Sequence, residues 1–241
     1  FINNLNKFQK KHRNTCIIST GVVFLQQKNM INHKKFIEIQ NLLKKNHKKS
    51  QIIAISKNHP QQSVINAINK GVHIFGENRV LEAKDKFTEL KMKYPNIELH
   101  LTGPLQSNKV KLAISIFDVF QTLDREKIAK EFFKYKEMLV GKRFFIQVNT
   151  GEEDSKSGIY SKYLKEFLNF CQKDMGLNII GLMCIPPINE DPKLHFKKLQ
   201  LLAKDNNLNK LSIGMSGDYL DALEFNPSYI RLGTILFGER N

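Results

Sequence analysis

Eight short apolar, β-rich runs recur along the chain, each followed by a polar loop and then a helical pattern. No other feature restricts the fold so strongly. The runs are 51–57, 72–78, 98–103, 119–123, 143–149, 178–185, 210–215 and 229–237, with helical patterns between them at, for instance, 79–93, 124–138, 160–174 and 192–204. Ser107 and Asp124 stand where helix N-caps are expected. Strands alternating with helices predict parallel strands joined by right-handed crossovers, and eight of them close into a (β/α)8 barrel of the TIM type. The competing architecture is an open doubly wound sheet. It would ordinarily carry a G-x-G-x-x-G turn after its first strand, and here that turn reads Ser56-Lys57-Asn58 instead. An amphipathic pattern at 33–47 adds a helix before the first strand. No linker rich in Pro, Gly or Ser divides the pattern, so residues 30–241 read as one α/β domain.

Residues 1–29 read differently. They carry Lys7, Lys10, Lys11, Arg13 and Lys28 with no acid, and an apolar stretch from Cys16 to Leu25. That is the outline of a signal peptide. The alternative, which we favour, takes Met30 as the natural start and 1–29 as a leader or upstream extension outside the fold. The formal charge of +15 would point to nucleic acid, but the lysines are scattered among Asn and Ile and form no stripe. We expect no dedicated nucleic-acid function. Cys16, Cys171 and Cys184 form no CxxC and join no His-rich cluster. Neither a disulfide framework nor a metal site is expected, and a reducing cytoplasm fits. The apolar runs are strand-sized, too short to cross a membrane as a helix.

In a barrel of this kind chemistry lies at the carboxyl ends of the strands. The end of the first run, AISKNHP, places Lys57 after four apolar residues. Two readings stand. Lys57 snorkels into water from a strand end, or low dielectric weakens its ammonium so that the neutral amine can attack a carbonyl and form a Schiff base. The last two strand ends, Gly214-Met215-Ser216-Gly217 and Arg231-Leu232-Gly233-Thr234, resemble an anion site. Ser216 would open a helix, Gly233 would let backbone approach a phosphate, and loops after the last two barrel strands are the usual phosphate position. The alternative makes Ser216 an ordinary cap and Gly233 a packing residue. Arg231 within an alternating run would point inward, where it needs a ligand or a carboxylate. A lysine and a phosphate cradle on adjoining strands suit pyridoxal phosphate, which offers both an aldehyde and a phosphate.

The segments AISKNHP, FGENRVLEAKDK, HLTGPLQSNKVK, QTLDREKIA, IQVNTGEEDSKSGI, GLMCIPP, LSIGMSGD and IRLGTILFGER occur in this order. Together they make residues 30–240 resemble the pyridoxal phosphate homeostasis proteins, relatives of the barrel domain of alanine racemase. The resemblance implies that Lys57 holds the cofactor as a Schiff base and that Ser216, Gly233 and Thr234 hold its phosphate. It also implies that Arg231 lies near the pyridine nitrogen and disfavours its protonation, and that Asn78 and Met215 wall the pocket. Glu77, His100, Gln106 and Lys109 belong to the same segments without an assigned role. The expected function is a cytoplasmic, monomeric carrier with little or no turnover, which passes cofactor to apo-enzymes. A racemase or lyase is the alternative, disfavoured by the absence of room for the racemase's second domain. A barrel for another phosphorylated metabolite is the third.

Overall fold

The computed structural model describes residues 30–47 and 49–239. The expected leader at 1–29 lies outside the described residues. Helix α1 (His33–Asn46) precedes β1 (Gln51–Ile55), and the chain then alternates through α2 (Gln61–Asn69), β2 (Ile74–Glu77), α3 (Val80–Lys93), β3 (Glu98–Leu101) and α4 (Val110–Ile116). It continues with β4 (Val119–Leu123), α5 (Glu126–Phe133), β5 (Arg143–Asn149), a two-residue β6 (Ile159–Tyr160), α6 (Leu164–Asn169) and β7 (Ile179–Met183). Helix α7 (Pro192–Asp205), β8 (Lys210–Ser212), α8 (Tyr219–Leu223), β9 (Tyr229–Leu232) and α9 (Thr234–Phe237) complete it. All the strand pairs are parallel, in the order β4-β3-β2-β1-β9-β8-β7-β5, and β4 pairs with β5 to close the ring. Strand β6 hangs on β5 outside that ring. The closed eight-stranded barrel with its N-terminal helix is the fold the alternation predicts.

The reason is visible in β1, whose four residues Ile52 to Ile55 are all buried. A strand covered on both faces must be apolar throughout. Alternate side chains go to opposite sides. Ile53 and Ile55 pack with Val119, Phe145, Met183 and Tyr229 in the lumen. Ile52 and Ala54 join the much larger cluster between strands and helices. The β4–β5 closure is backed by Phe120, Phe132 and Phe144, with ring centroids 4.8–5.2 Å apart.

Three local expectations change. The run 229–237 is a strand only to Leu232; it turns at Gly233 and continues as α9. An apolar run of that length looks alike as strand or buried helix. Ser107 starts a 3-10 turn and Asp124 precedes the N-cap Arg125, and neither side chain caps a helix. Asp124 accepts from Arg125 instead. Asn32 and Asp191 are the caps, accepting from the amides of Lys35 and Lys193. The pattern at 160–174 resolves into β6, a 3-10 turn, α6 and a π-helical turn.

Candidate functional site

At the carboxyl ends of the strands lies a cavity of about 240 Å³, and Lys57, Asn78, Met215, Ser216, Arg231, Gly233 and Thr234 all line it. Four strand ends thus bring together the seven residues to which the sequence assigned a place at the cofactor. Lys57 is half-buried, two residues beyond Ile55, which shares its inward parity and also lines the cavity. Thr102, Ile185 and Gly217 complete the lining. Thr102, Gly217 and Ile185 all sit within runs or strand ends already marked in the sequence, and Ile185, 47% exposed, forms an apolar lip.

Thr102 Oγ1 donates to Asn78 Oδ1 at 2.9 Å, which leaves the Asn78 amide nitrogen as the end not engaged. The close packing of these two loops needs Gly103, because a Cβ there would lie 2.4 Å from the Asn78 carbonyl oxygen.

Opposite, the Ser216 hydroxyl accepts from Gly233 N–H at 3.3 Å and Ile235 N–H at 3.4 Å. Both are long for N–H···O bonds. Two amides therefore converge loosely on one point of the wall. The helix after this turn begins at Tyr219, with Asp218 as N-cap, and not at Ser216. Asp218 Oδ1 accepts from Met215 N–H at 2.5 Å and so fixes the turn. The cradle is built from a hydroxyl and turn amides; α8 and α9, of five and four residues, contribute no long helix dipole.

Arg231 is buried and points inward, but among the described residues no carboxylate pairs with it. Nη1 donates to Ser212 O at 2.6 Å and Ser212 Oγ at 2.9 Å, and Nη2 to Cys184 O at 2.8 Å. Three of its five N–H groups are thereby spent, and the others remain for a ligand. Burial lowers its pKa, with Cys184 and Asp218 opposing; a guanidinium stays charged nonetheless.

Ser212 carries the contact further. Its Oγ donates to Gln121 Oε1 at 2.6 Å, and Gln121 Nε2 lies 2.8 Å from His100 Nδ1. An amide nitrogen only donates, so Nδ1 must accept and Nε2 carries the proton, 2.6 Å from Glu98 Oε1. Glu98 also accepts from Arg143 at 2.6 Å. This places His100 in a directed chain that runs through the lumen from the cavity floor. Burial lowers the His100 pKa, outweighing Glu98, so the ring is neutral. Burial opposes ionisation of Glu98, but the hydrogen bonds from His100 and Arg143 hold it well below the usual carboxylate range.

Of the other unassigned residues, Glu77 turns away from the cavity towards α3. Gln106 and Lys109 line a neighbouring cleft of about 1010 Å³ that shares Asn78. Among the described residues no group of His, Cys, Asp or Glu is placed to hold a metal ion. No described helix is long and apolar enough to cross a membrane.

The donor set fits a small phosphorylated aldehyde: hydroxyl and amide donors on one wall, a guanidinium on the floor, a lysine on the adjoining strand end, and no carboxylate among the described lining residues. Comparison with known proteins bears on the same point. The alanine racemase N-terminal domain family matches residues 34–241. The pyridoxal phosphate homeostasis protein of Vibrio cholerae is 37% identical over 202 residues, covering 79% of this chain and 86% of its own. That of Buchnera aphidicola is 38% identical over 216 residues, covering 83% and 92%.

The chain belongs to the pyridoxal phosphate homeostasis protein family.

The family binds pyridoxal phosphate. Its member PipY from Synechococcus elongatus, solved with pyridoxal phosphate bound, is 29% identical with a TM-score of 0.77, covering 86% of this chain and 99% of PipY. The alanine racemase of Acinetobacter baumannii shares the fold at 15% identity and a TM-score of 0.66, over 86% of this chain and 61% of the racemase. For a homeostasis-family chain, the segment AISKNHP supplies the lysine and LSIGMSGD with IRLGTILFGER supply the adjoining wall.

Proposed function

We propose that this protein is a reversible carrier of pyridoxal phosphate, holding it through Lys57 and releasing it to apo-enzymes in a reducing cytoplasm. The convergence of Lys57, Arg231 and the Ser216–Gly233–Thr234 wall on one small cavity supports the reading most directly. When bound, pyridoxal phosphate supplies an aldehyde that an amine captures reversibly and a phosphate that anchors the far end. Lys57 offers the amine from the rim of the barrel. Ser216 Oγ, Thr234 and the amides of Gly233 and Ile235 take the phosphate oxygens. Arg231, with N–H groups left over after its contacts to Ser212 and Cys184, would meet the cofactor's ring only as a donor and so would favour an unprotonated ring nitrogen. Ile55, Asn78, Ile185 and Met215 exclude water from the remaining faces.

The carrier reading is favoured over a racemase or lyase by what the lining lacks. Among its described residues no His, Tyr, Cys, Asp or Glu stands opposite Lys57 to exchange a second proton. An unprotonated ring is also a poor electron sink. Two of the described cysteines, Cys171 and Cys184, are free thiols whose pKa burial pushes up to about 12, so neither is an available nucleophile. The test is to incubate the loaded protein with a panel of amino acids and follow stereochemistry and mass. A single stoichiometric exchange, with no multiple turnover, is expected. Sustained turnover would replace the carrier by an enzyme.

A further inference from the structure

Lys57 lies in the turn Ser56–His59 between β1 and α2. Three side chains outside the cavity, Glu77, Glu82 and Lys86, hold that turn from behind. Lys86 is 6% exposed, and its Nζ donates to the carbonyl oxygens of Ser56 at 2.7 Å and His59 at 2.9 Å. The same Nζ lies 2.7 Å from Glu77 Oε1 and 2.9 Å from Glu82 Oε1. Glu77 is fully buried and accepts from the Ser56 hydroxyl at 2.7 Å. Glu82 accepts from the Asn58 amide at 2.5 Å, and Asn58 has φ of 62°, a left-handed conformation that needs outside support in a residue with a side chain.

Ser56, Asn58 and His59 are therefore tied to α3 and the end of β2, leaving Lys57 mounted between fixed points. A buried ammonium costs several kcal/mol of desolvation unless its surroundings repay it, so a lysine placed here for helix propensity alone would sit in water. The spacing of Glu77, Glu82 and Lys86 within FGENRVLEAKDK explains why that segment bears charge on its buried face.

We infer that Lys86, with Glu82 and Glu77, is a positioning residue for Lys57: it sets where the Lys57 amine meets the cofactor's aldehyde without touching the cofactor. None of the three lines the cavity. The inference rests on the reading of Lys57 as the capturing amine.

Two ligands separate positioning from general damage. Pyridoxal 5′-phosphate needs both the cradle and Lys57; pyridoxine 5′-phosphate has no aldehyde and needs the cradle alone. Binding of the first is followed by the absorbance of the lysine-bound form, and of the second by calorimetry. Lys86→Met is expected to weaken and slow pyridoxal phosphate capture by about tenfold, since small misplacements of a reacting group cost rate steeply. Its affinity for pyridoxine phosphate stays at the wild-type value. Glu82→Ala gives a smaller loss of the same kind, and Glu82→Gln, which keeps an acceptor for the Asn58 amide, recovers it. If Lys86→Met fails to fold, the Glu82 pair decides. Wild-type capture in these variants, or equal loss of both ligands, overturns the inference. A wild-type protein that binds pyridoxine phosphate yet never develops the lysine-bound absorbance overturns the functional reading instead.

Discussion

Single residues at this site owe their state to neighbours well outside the cavity. Arg231 is held by two carbonyls and a hydroxyl, and that hydroxyl is the first link of a chain through Gln121 and His100 to Glu98. His100 is neutral because it is buried, and its folded pKa lies below the ordinary 6.5. The unfolded chain therefore binds the proton first as the solution is acidified. Stability from His100 is complete above pH 6.5 and is lost as pH falls below it towards the folded value. Glu98, also lowered, adds stability that is present above 4.5 and lost further down. Both act on the acid side. Thermal melts of the wild type should thus decline as pH falls below 6.5, and His100→Gln should decline less steeply there. Parallel slopes for the two proteins would show that His100 carries none of the effect.

At the scale of elements, the strand ends are held in place by close packing and by helices behind them. Gly103 allows the loop after β3 to lie against Asn78. Gly103→Ala forces a Cβ against backbone, and should cost roughly 1–3 kcal/mol in urea denaturation while weakening pyridoxal phosphate binding through the displaced Asn78 wall. Unchanged stability and affinity would mean that the loops separate freely. The elements themselves were legible in the sequence wherever an apolar run was strand-length and bounded by polar residues, as at Gln51–Ile55 and Val119–Leu123. They were ambiguous at 229–237, where one apolar run holds both a strand and a helix. Seven of the lining residues were legible because each occupies a strand end, Asn78 and Met215 with the help of the family resemblance. The role of Glu77 was not, since its side chain faces α3, and the partner that explains it is Lys86, nine residues away and turned inward. Nor was the lumen chain: His100, Gln121 and Ser212 come from three separate strands, and only closure of the barrel makes them neighbours.

For the molecule as a whole, closure through β4 and β5 joins the eight barrel strands into one ring, which we expect to unfold as one cooperative unit. Phe144, fully buried, stacks on Phe120 and meets Phe132 edge-on behind that seam. Phe144→Ala should cost about 3–5 kcal/mol and shift one unfolding transition without splitting it. Two resolved transitions would divide the barrel into independent parts. The closed ring also brings the first strand beside the last, and so sets Lys57 against the Ser216–Thr234 wall. Among 38 lysines and arginines, Lys57 is the residue proposed to capture the cofactor. Borohydride reduction of the protein loaded with one equivalent of pyridoxal phosphate, followed by peptide mass spectrometry, tests it most directly. A phosphopyridoxyl group on Lys57 is expected, and its disappearance in Lys57→Ala; a label spread over surface lysines, or fixed on another residue with Lys57 unmodified, would rule Lys57 out as the capturing amine.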